Sequence, residues 1–345
     1  MGLLSGVSNF FGLDIGTDAI RAVELRGNAL PKTLVRYAYV PIDPRMAQSD
    51  AKSDEQKILQ VIKNLLSQAK MSTRNVAVNL PSKNVFTTVA EFDRLNPGEM
   101  GEALHFQAES LIPTPIAESK IDWAQIGDSP KDKTKVEILL SSVPNKFVEQ
   151  RLDMLESIGL NVIAFEPSNM AMTRALVPAG ATLPHLVLDI GRNNTDLVIV
   201  GEAPHLTRVI PIGTDTILHS AAQNLNVDDK QAQQLVFKFG LSKQKLEGQV
   251  LEAIISTVDN LVGEVDKSLK FFMTRYPESK IDRLIVSGLA ASIPEFPLYL
   301  ANKFGLNTEI GNAWRNVAYA PERQNELLTI SSEFAVAVGL AERKE

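Results

Sequence analysis

Apolar positions recur along the chain at two periods, and the switches between them outline its elements. Residues 11–25 place apolar side chains on both sides of a Gly16-Thr17-Asp18 turn, which predicts a β-hairpin. Residues 34–40 and 75–80 read as further strands, the second stopped by Pro81. Between 54 and 69, Ile58, Leu59, Ile62, Leu65 and Leu66 recur at helical spacing. Residues 84–160 predict a compact α+β unit. It opens with a strand over 85–92 and a helix over 97–111, ended by Ile112-Pro113-Thr114-Pro115. A polar hairpin tip over 127–135 leads to a strand over 136–143 and a helix over 144–158, which Gly159 stops. The second half restarts with a strand near 184–190 and another over 204–211. A turn at Gly213, a helix over 215–225 and a largely helical stretch over 228–276 follow. A buried strand from Arg283, a helix over 293–304 and a closing helix over 331–341 complete the pattern.

One motif occurs twice. Leu13-Asp14-Ile15-Gly16 and Leu188-Asp189-Ile190-Gly191 each end an apolar strand, and each is followed by a polar turn and a second apolar strand. Two such hairpins half a chain apart predict two lobes of like topology. A strand ending in Asp-x-Gly sets a carboxylate beside bare backbone, so turn amides can approach a phosphate. The hydroxyls of Thr17 and Thr195 add donors, and Arg21 is a candidate charge-assisted donor. Asp14 and Asp189 repel phosphate directly, so a cation must stand between; magnesium held through its waters fits. Neither a Walker nor a dinucleotide-binding glycine motif is present.

Composition narrows the function classes. A chain of 345 residues, 44% hydrophobic, exceeds what one core usually holds. The net charge of −6, with lysine and arginine spread evenly, argues against nucleic acid as a partner. The lack of cysteine excludes disulfides and thiolate metal sites. His105, His185, His205 and His219 show no metal-ligand spacing. No apolar run approaches the ~18 residues of a spanning helix. Residues 1–12 lack the charged start of a signal peptide and read as a leader into the first strand. A cytoplasmic protein is expected. Glu102 and Glu109 lie one heptad apart on a solvated helix face, Glu118 shows no catalytic setting, and Lys131-Asp132-Lys133-Thr134-Lys135 reads as a solvated loop tip. No residue stands out to position a hydrolytic water.

The paired hairpins are similar to the phosphate loops of the actin and FtsA superfamily, and the chain most resembles the PilM family of type IV pilus assembly proteins. The resemblance runs over nearly the whole chain. It is carried by Leu13-Asp14-Ile15-Gly16-Thr17 with Arg21-Ala22-Val23-Glu24-Leu25, by Gln107 to Pro115, by Arg151 to Leu160, by Ile210-Pro211-Ile212-Gly213, by Ile281 to Gly288 and by Phe334 to Ala341. It implies an α/β, actin-like (ribonuclease H-like) fold of two lobes. The first would span 1–185, with an inserted α+β subdomain at about 84–160 and the C-terminal helix at 331–345. The second would span 186–330, with a helical part at about 216–280.

It implies ATP or ADP with magnesium. Asp14, Gly16, Thr17, Asp18 and Arg21 would form one phosphate wall, and Asp189, Gly191, Arg192, Asn194, Thr195 and Gly213 the other. Gly288 and Leu289 would lie on the adenosine side, and Asp14 and Asp189 at the metal. Partners implied are the N-terminal peptide of a PilN-type inner-membrane protein, received between the inserted unit and the first lobe, then the pilus platform, motor ATPases and a homo-oligomer. The membrane would be met only through partners. Active-ATPase and FtsA-like filament readings belong to the same superfamily; the absence of a C-terminal extension after Glu345 disfavours the latter. Several positions depart from the family. Arg21 replaces a lysine, Thr114 a phenylalanine, and Val236 a lysine that contacts the nucleoside. Arg192 adds a cation, and Ser287-Gly288-Leu289-Ala290-Ala291 stands for S-G-G-G-A. These departures predict weakened nucleotide binding.

Overall fold

The computed structural model describes residues 9–49 and 51–344; of the leader expected over 1–12, residues 1–8 lie outside them. The chain opens with strands β1 (Phe11–Ile15), β2 (Ala19–Arg26) and β3 (Lys32–Pro41). Helices α1 (Pro44–Ala47) and α2 (Lys52–Gln68) and strand β4 (Asn75–Leu80) follow. Then come β5 (Phe86–Asp93), α3 (Pro97–Leu111), β6 (Ser119–Asp128), β7 (Lys135–Pro144), α4 (Asn145–Glu156), β8 (Asn161–Pro167) and α5 (Ser168–Leu176). The second half holds β9 (His185–Ile190), β10 (Thr195–Val200), β11 (Pro204–Ile210), α6 (Thr214–Leu225), α7 (Asp229–Phe239) and α8 (Gln249–Arg275). It closes with β12 (Arg283–Gly288), α9 (Phe296–Phe304), β13 (Asn307–Ile310), β14 (Val317–Ala318), α10 (Gln324–Thr329) and α11 (Ala335–Ala341).

Two sheets repeat one plan. The first has order β14-β3-β2-β1-β4-β8 and the second β11-β10-β9-β12-β13. In each, an antiparallel three-strand meander (β1-β2-β3, β9-β10-β11) is extended by parallel strands beyond its first member. The matched Leu-Asp-Ile-Gly segments therefore occupy matched central strands, β1 and β9.

Helices α5 and α11 lie between the sheets. Met172, Ala175, Leu176, Ala337 and Val338 pack there with Val23 of the first sheet and Val187, Val198 and Ile285 of the second. Their crossing is tight because Gly339 has no side chain: a Cβ would sit 1.8 Å from the Ala171 carbonyl oxygen. On the outer faces, α2 and α4 cover the first sheet and α6, α7, α8 and α9 the second.

A third sheet, β5-β7-β6, carries its own small core of Phe92, Met100, Leu104, Ile112, Val136, Ile138 and Leu140. The unit expected over about 84–160 divides here. Helix α4 packs Met154 and Leu155 with Phe11, Leu13 and Ile62 under the first sheet, because its amphipathic stripe faces that core.

Candidate functional site

The two hairpin turns face one another across a cavity of about 140 Å³ at the junction of the lobes. Asp14, Gly16, Thr17, Asp18, Arg21, Asp189, Gly191, Arg192, Asn194, Gly288 and Leu289 all line it. Gly16 N–H donates to the Ala19 carbonyl and Gly191 N–H to that of Asn194, both at 3.0 Å, so the glycine amides close their own turns. The Thr17, Asp18 and Arg192 amides border the cavity and make no such bond among the described residues, so they are open to an anion.

Thr195 and Gly213, also expected at the site, do not line this cavity. The Thr195 hydroxyl donates to the Ile212 carbonyl at 2.7 Å. Gly213 precedes α6, where a Cβ would lie 2.4 Å from the Arg192 carbonyl oxygen. Its role is to let that helix start against the second hairpin. Thr214 fastens the same junction, donating from N–H and hydroxyl to the Gly191 carbonyl at 2.9 and 3.0 Å.

Arg21 is already engaged. It faces Asp14 across the hairpin, lies 3.7 Å from its carboxylate, and pairs with Asp18 at 3.1 Å and Glu333 at 3.0 Å. Its guanidinium also sits 5.4 Å from the centre of the Tyr39 ring. Arg192 lies 3.0 Å from Asp215, near enough for an ion pair but not aligned as a hydrogen bond.

The register reveals a residue that motif reading passes over. Asp189 stands opposite Asp196 on β10, as Asp14 stands opposite Arg21 on β2. Superposing the repeat from its Asp-Ile-Gly start puts Asp196 at the Arg21 position, and that alignment was available in the sequence. Asp196 is buried. It accepts from the Ser82 hydroxyl at 2.8 Å and from the Asn194 amide at 3.2 Å. The Ser82 bond ties the first lobe to the second across the cleft floor. Asn79 accepts from Ile15 N–H at 2.8 Å and donates to Ser168 at 3.1 Å, fixing the end of β1.

Burial raises the Asp14 and Asp189 carboxyls to about 7, with Arg21 lowering the first and the Asp196 charge raising the second. Burial likewise raises Asp196 to about 6, against the bonds from Ser82 and Asn194. Asp14, Asp18, Asp189, Asp196 and Glu333 outnumber Arg21, Arg192 and Lys83 around the cavity. Such a wall repels a bare phosphate and suits a hydrated divalent cation carrying one. Among the described residues no group of three or more ligating side chains converges, so a magnesium ion there would rely on water and phosphate oxygens.

The nucleoside wall fits less well. Gly288 has φ +79°, and a Cβ would lie 2.5 Å from the Ile190 carbonyl oxygen, so glycine is required by strand packing alone. Leu289 reaches the cavity, while Ala290 and Ala291 turn into the core with Val236, Ala232 and Ile293. About 140 Å³ is below the ~300 Å³ from which small-molecule pockets usually start.

A second groove opens between the three-stranded unit and the first lobe, with about 430 Å³ of space. Ile121 and Trp123 of β6, Leu139 and Val143 of β7, Phe165 of β8 and Met170 of α5 line it. Both β6 and β8 are outer strands of their sheets. Glu166 sits at the groove between Arg343 at 3.1 Å and a close Arg174 pair. Among the described residues, no helix is long and apolar enough to cross a membrane.

Known structures share this architecture. The structure of a PilM-PilN type IV pilus biogenesis complex matches with TM-score 0.82 and 27% identity, covering 96% of this chain and 97% of that one. The ethanolamine utilization protein EutJ of Carboxydothermus hydrogenoformans matches with TM-score 0.58 at 12% identity, covering 99% and 92%. The ADP-bound MreB5 of Spiroplasma citri matches with TM-score 0.56 at 13% identity, covering 96% and 95%. The last two establish likeness of fold, which is actin-like. A family model described as type IV pilus assembly protein PilM matches residues 12–345. With its paired hairpins, its third sheet and this match over nearly its whole length, the chain belongs to the PilM family of type IV pilus assembly proteins.

Proposed function

We propose that this protein is an adaptor of type IV pilus assembly. It captures the N-terminal peptide of a PilN-type inner-membrane protein in the groove between β6, β7 and β8. The groove carries the reading. It is apolar along its walls, bounded by two outer strands, and rimmed by Lys120, Asp122, Glu166 and Arg343. That combination suits an extended segment whose side chains enter apolar pockets while its ends meet charge. Trp123 is 37% exposed at the groove, an aromatic anchor of the kind that dominates peptide affinity. The protein then works at the cytoplasmic face of the inner membrane, coupling the platform to motor ATPases.

The central cleft serves as a phosphate and magnesium site that regulates this docking. Asp14 and Asp189 would hold the ion through water, and the Thr17, Asp18 and Arg192 amides would meet the phosphates. Magnesium bound there supplies the positive charge that the acidic wall requires. The filled nucleoside wall predicts weak nucleotide affinity.

Fluorescence anisotropy with the labelled N-terminal peptide of the cognate PilN-type protein tests the groove. Binding is expected, weakened about tenfold or more by Trp123→Ala. Absence of binding, with and without magnesium-ATP, would overturn the adaptor reading.

A further inference from the structure

We propose that the cavity behind the first hairpin is a second anion site, built for a phosphate group that carries no metal. About 700 Å³ of space lies between α2, α4 and the loop at residues 81–84, with Gly16 and Thr17 along one side. Lys83, Lys146 and Arg151 line it, against a single acid, the exposed Glu55. Three cations gathered in this way stand out in a chain of net charge −6.

Arg151 is the anchor. Its Nε is screened from solvent and has no hydrogen-bond partner. Among the described residues the guanidinium forms no ion pair, and it stacks 5.7 Å from the centre of the Phe147 ring. Burial lowers it to about 10, with only the charge of Asp14 opposing. A partly buried guanidinium with its Nε unpartnered and no paired carboxylate is unfavourably placed, and an incoming anion lowers that cost. Helix α4 starts at the same cavity, and Pro144 at its N-cap offers no side chain to its first amides. Those free N–H groups and the helix dipole favour the same charge.

Electrostatics sorts the two cavities. Gly16, Thr17 and Lys83 border both, so the first hairpin is the partition. The central side is rich in carboxylates and suits a phosphate complexed with magnesium. The rear side is rich in cations and suits a bare phosphate. The ligand is therefore orthophosphate or the terminal phosphate of a metal-free nucleotide.

Calorimetry at matched ionic strength distinguishes these sources, titrating sodium phosphate, ATP with a chelator, and magnesium-ATP in separate arms. Wild type should bind in at least one of the metal-free arms. Arg151→Met and Lys146→Glu should each weaken that binding about tenfold or more. Lys146 is exposed, so its variant remains informative if Arg151→Met fails to fold. Response to phosphate assigns the free ion, and response to ATP alone assigns the nucleotide. No metal-free binding, or affinity unchanged in the Lys146 variant, would overturn the site and leave the peptide groove untouched.

Discussion

Glu137 should hold the third sheet to the second lobe. It lies on β7, 1% exposed, and its carboxylate accepts two bonds from Arg275, at 2.9 and 2.8 Å. The Tyr276 hydroxyl reaches the same carboxylate at 2.7–2.8 Å, and the His205 ring stands 3.9 Å away. Arg275 ends α8 and His205 sits on β11, so one carboxylate receives groups from two elements of the other lobe. Glu137, Leu139, Ser141 and Val143 share one face of β7, and the last three line the groove beside β6 and β8. The clamp and the groove are thus parts of one rigid strand.

Removing one partner of a buried ion pair costs ~3–5 kcal/mol. The Arg275 side chain is 20% exposed and can be partly resolvated, so about 3 kcal/mol is expected for Glu137→Ala. At roughly 2 °C per kcal/mol for a chain of this size, the unfolding midpoint should fall by about 6 °C. Hydrogen exchange should show loss of protection in β5, β6 and β7. A double-mutant cycle with Tyr276→Phe should show coupling of about 1 kcal/mol. Acid adds a second readout. Burial opposes ionisation of Glu137, but the His205, Tyr276 and Arg275 contacts prevail and hold it below its ordinary 4.5. Its contribution is complete above that value and is lost as pH falls through the lowered one. Glu137→Ala should lack that component of acid unfolding. A midpoint within about 1 °C of wild type, with unchanged exchange in the third sheet, would refute the clamp.

Further outcomes follow from the cleft and the core. Asp189 and Asp196, raised by burial to about 7 and about 6, bind protons more readily folded than unfolded, so they subtract stability as pH rises through those values. Asp196→Asn should raise the unfolding free energy at pH ~8 without magnesium by on the order of 2 kcal/mol in denaturant unfolding; a lower value refutes this. Magnesium affinity, measured by calorimetry, should rise between pH ~6 and ~8 and be lost in Asp14→Asn; a flat profile would contradict a carboxylate site. Gly339→Ala forces α11 from α5 and should cost more than ~3 kcal/mol in denaturant unfolding, with near-native stability as the contrary result. Val236→Lys should destabilise rather than restore nucleotide affinity, because Val236 is fully buried; tighter magnesium-ATP binding would show the wall to be open.

The sequence by itself determined the hairpins, the repeat and the long amphipathic helices, because each announces itself through local period and turn chemistry. It also picked out Asp14, Gly16, Asp189 and Gly191, which line the central cavity, since they sit in a short repeated motif. Helix α5 escaped notice because it is buried on nearly every side, so its residues carry no polar stripe to mark a period. Strands β6 and β8 were likewise not marked by a clean apolar alternation. The partners of the site's charges were decided only in three dimensions. Arg21 meets Glu333 from 312 residues away, Ser82 meets Asp196 from 114, and Glu137 meets Arg275 from 138. Whether a cation is free for phosphate or already neutralised depends on which carboxylate the fold brings within a few ångströms, because charge interactions act through space and not along the chain. That distinction leaves Arg21 tied and Arg151 unpaired, and it separates two cavities that share one glycine turn.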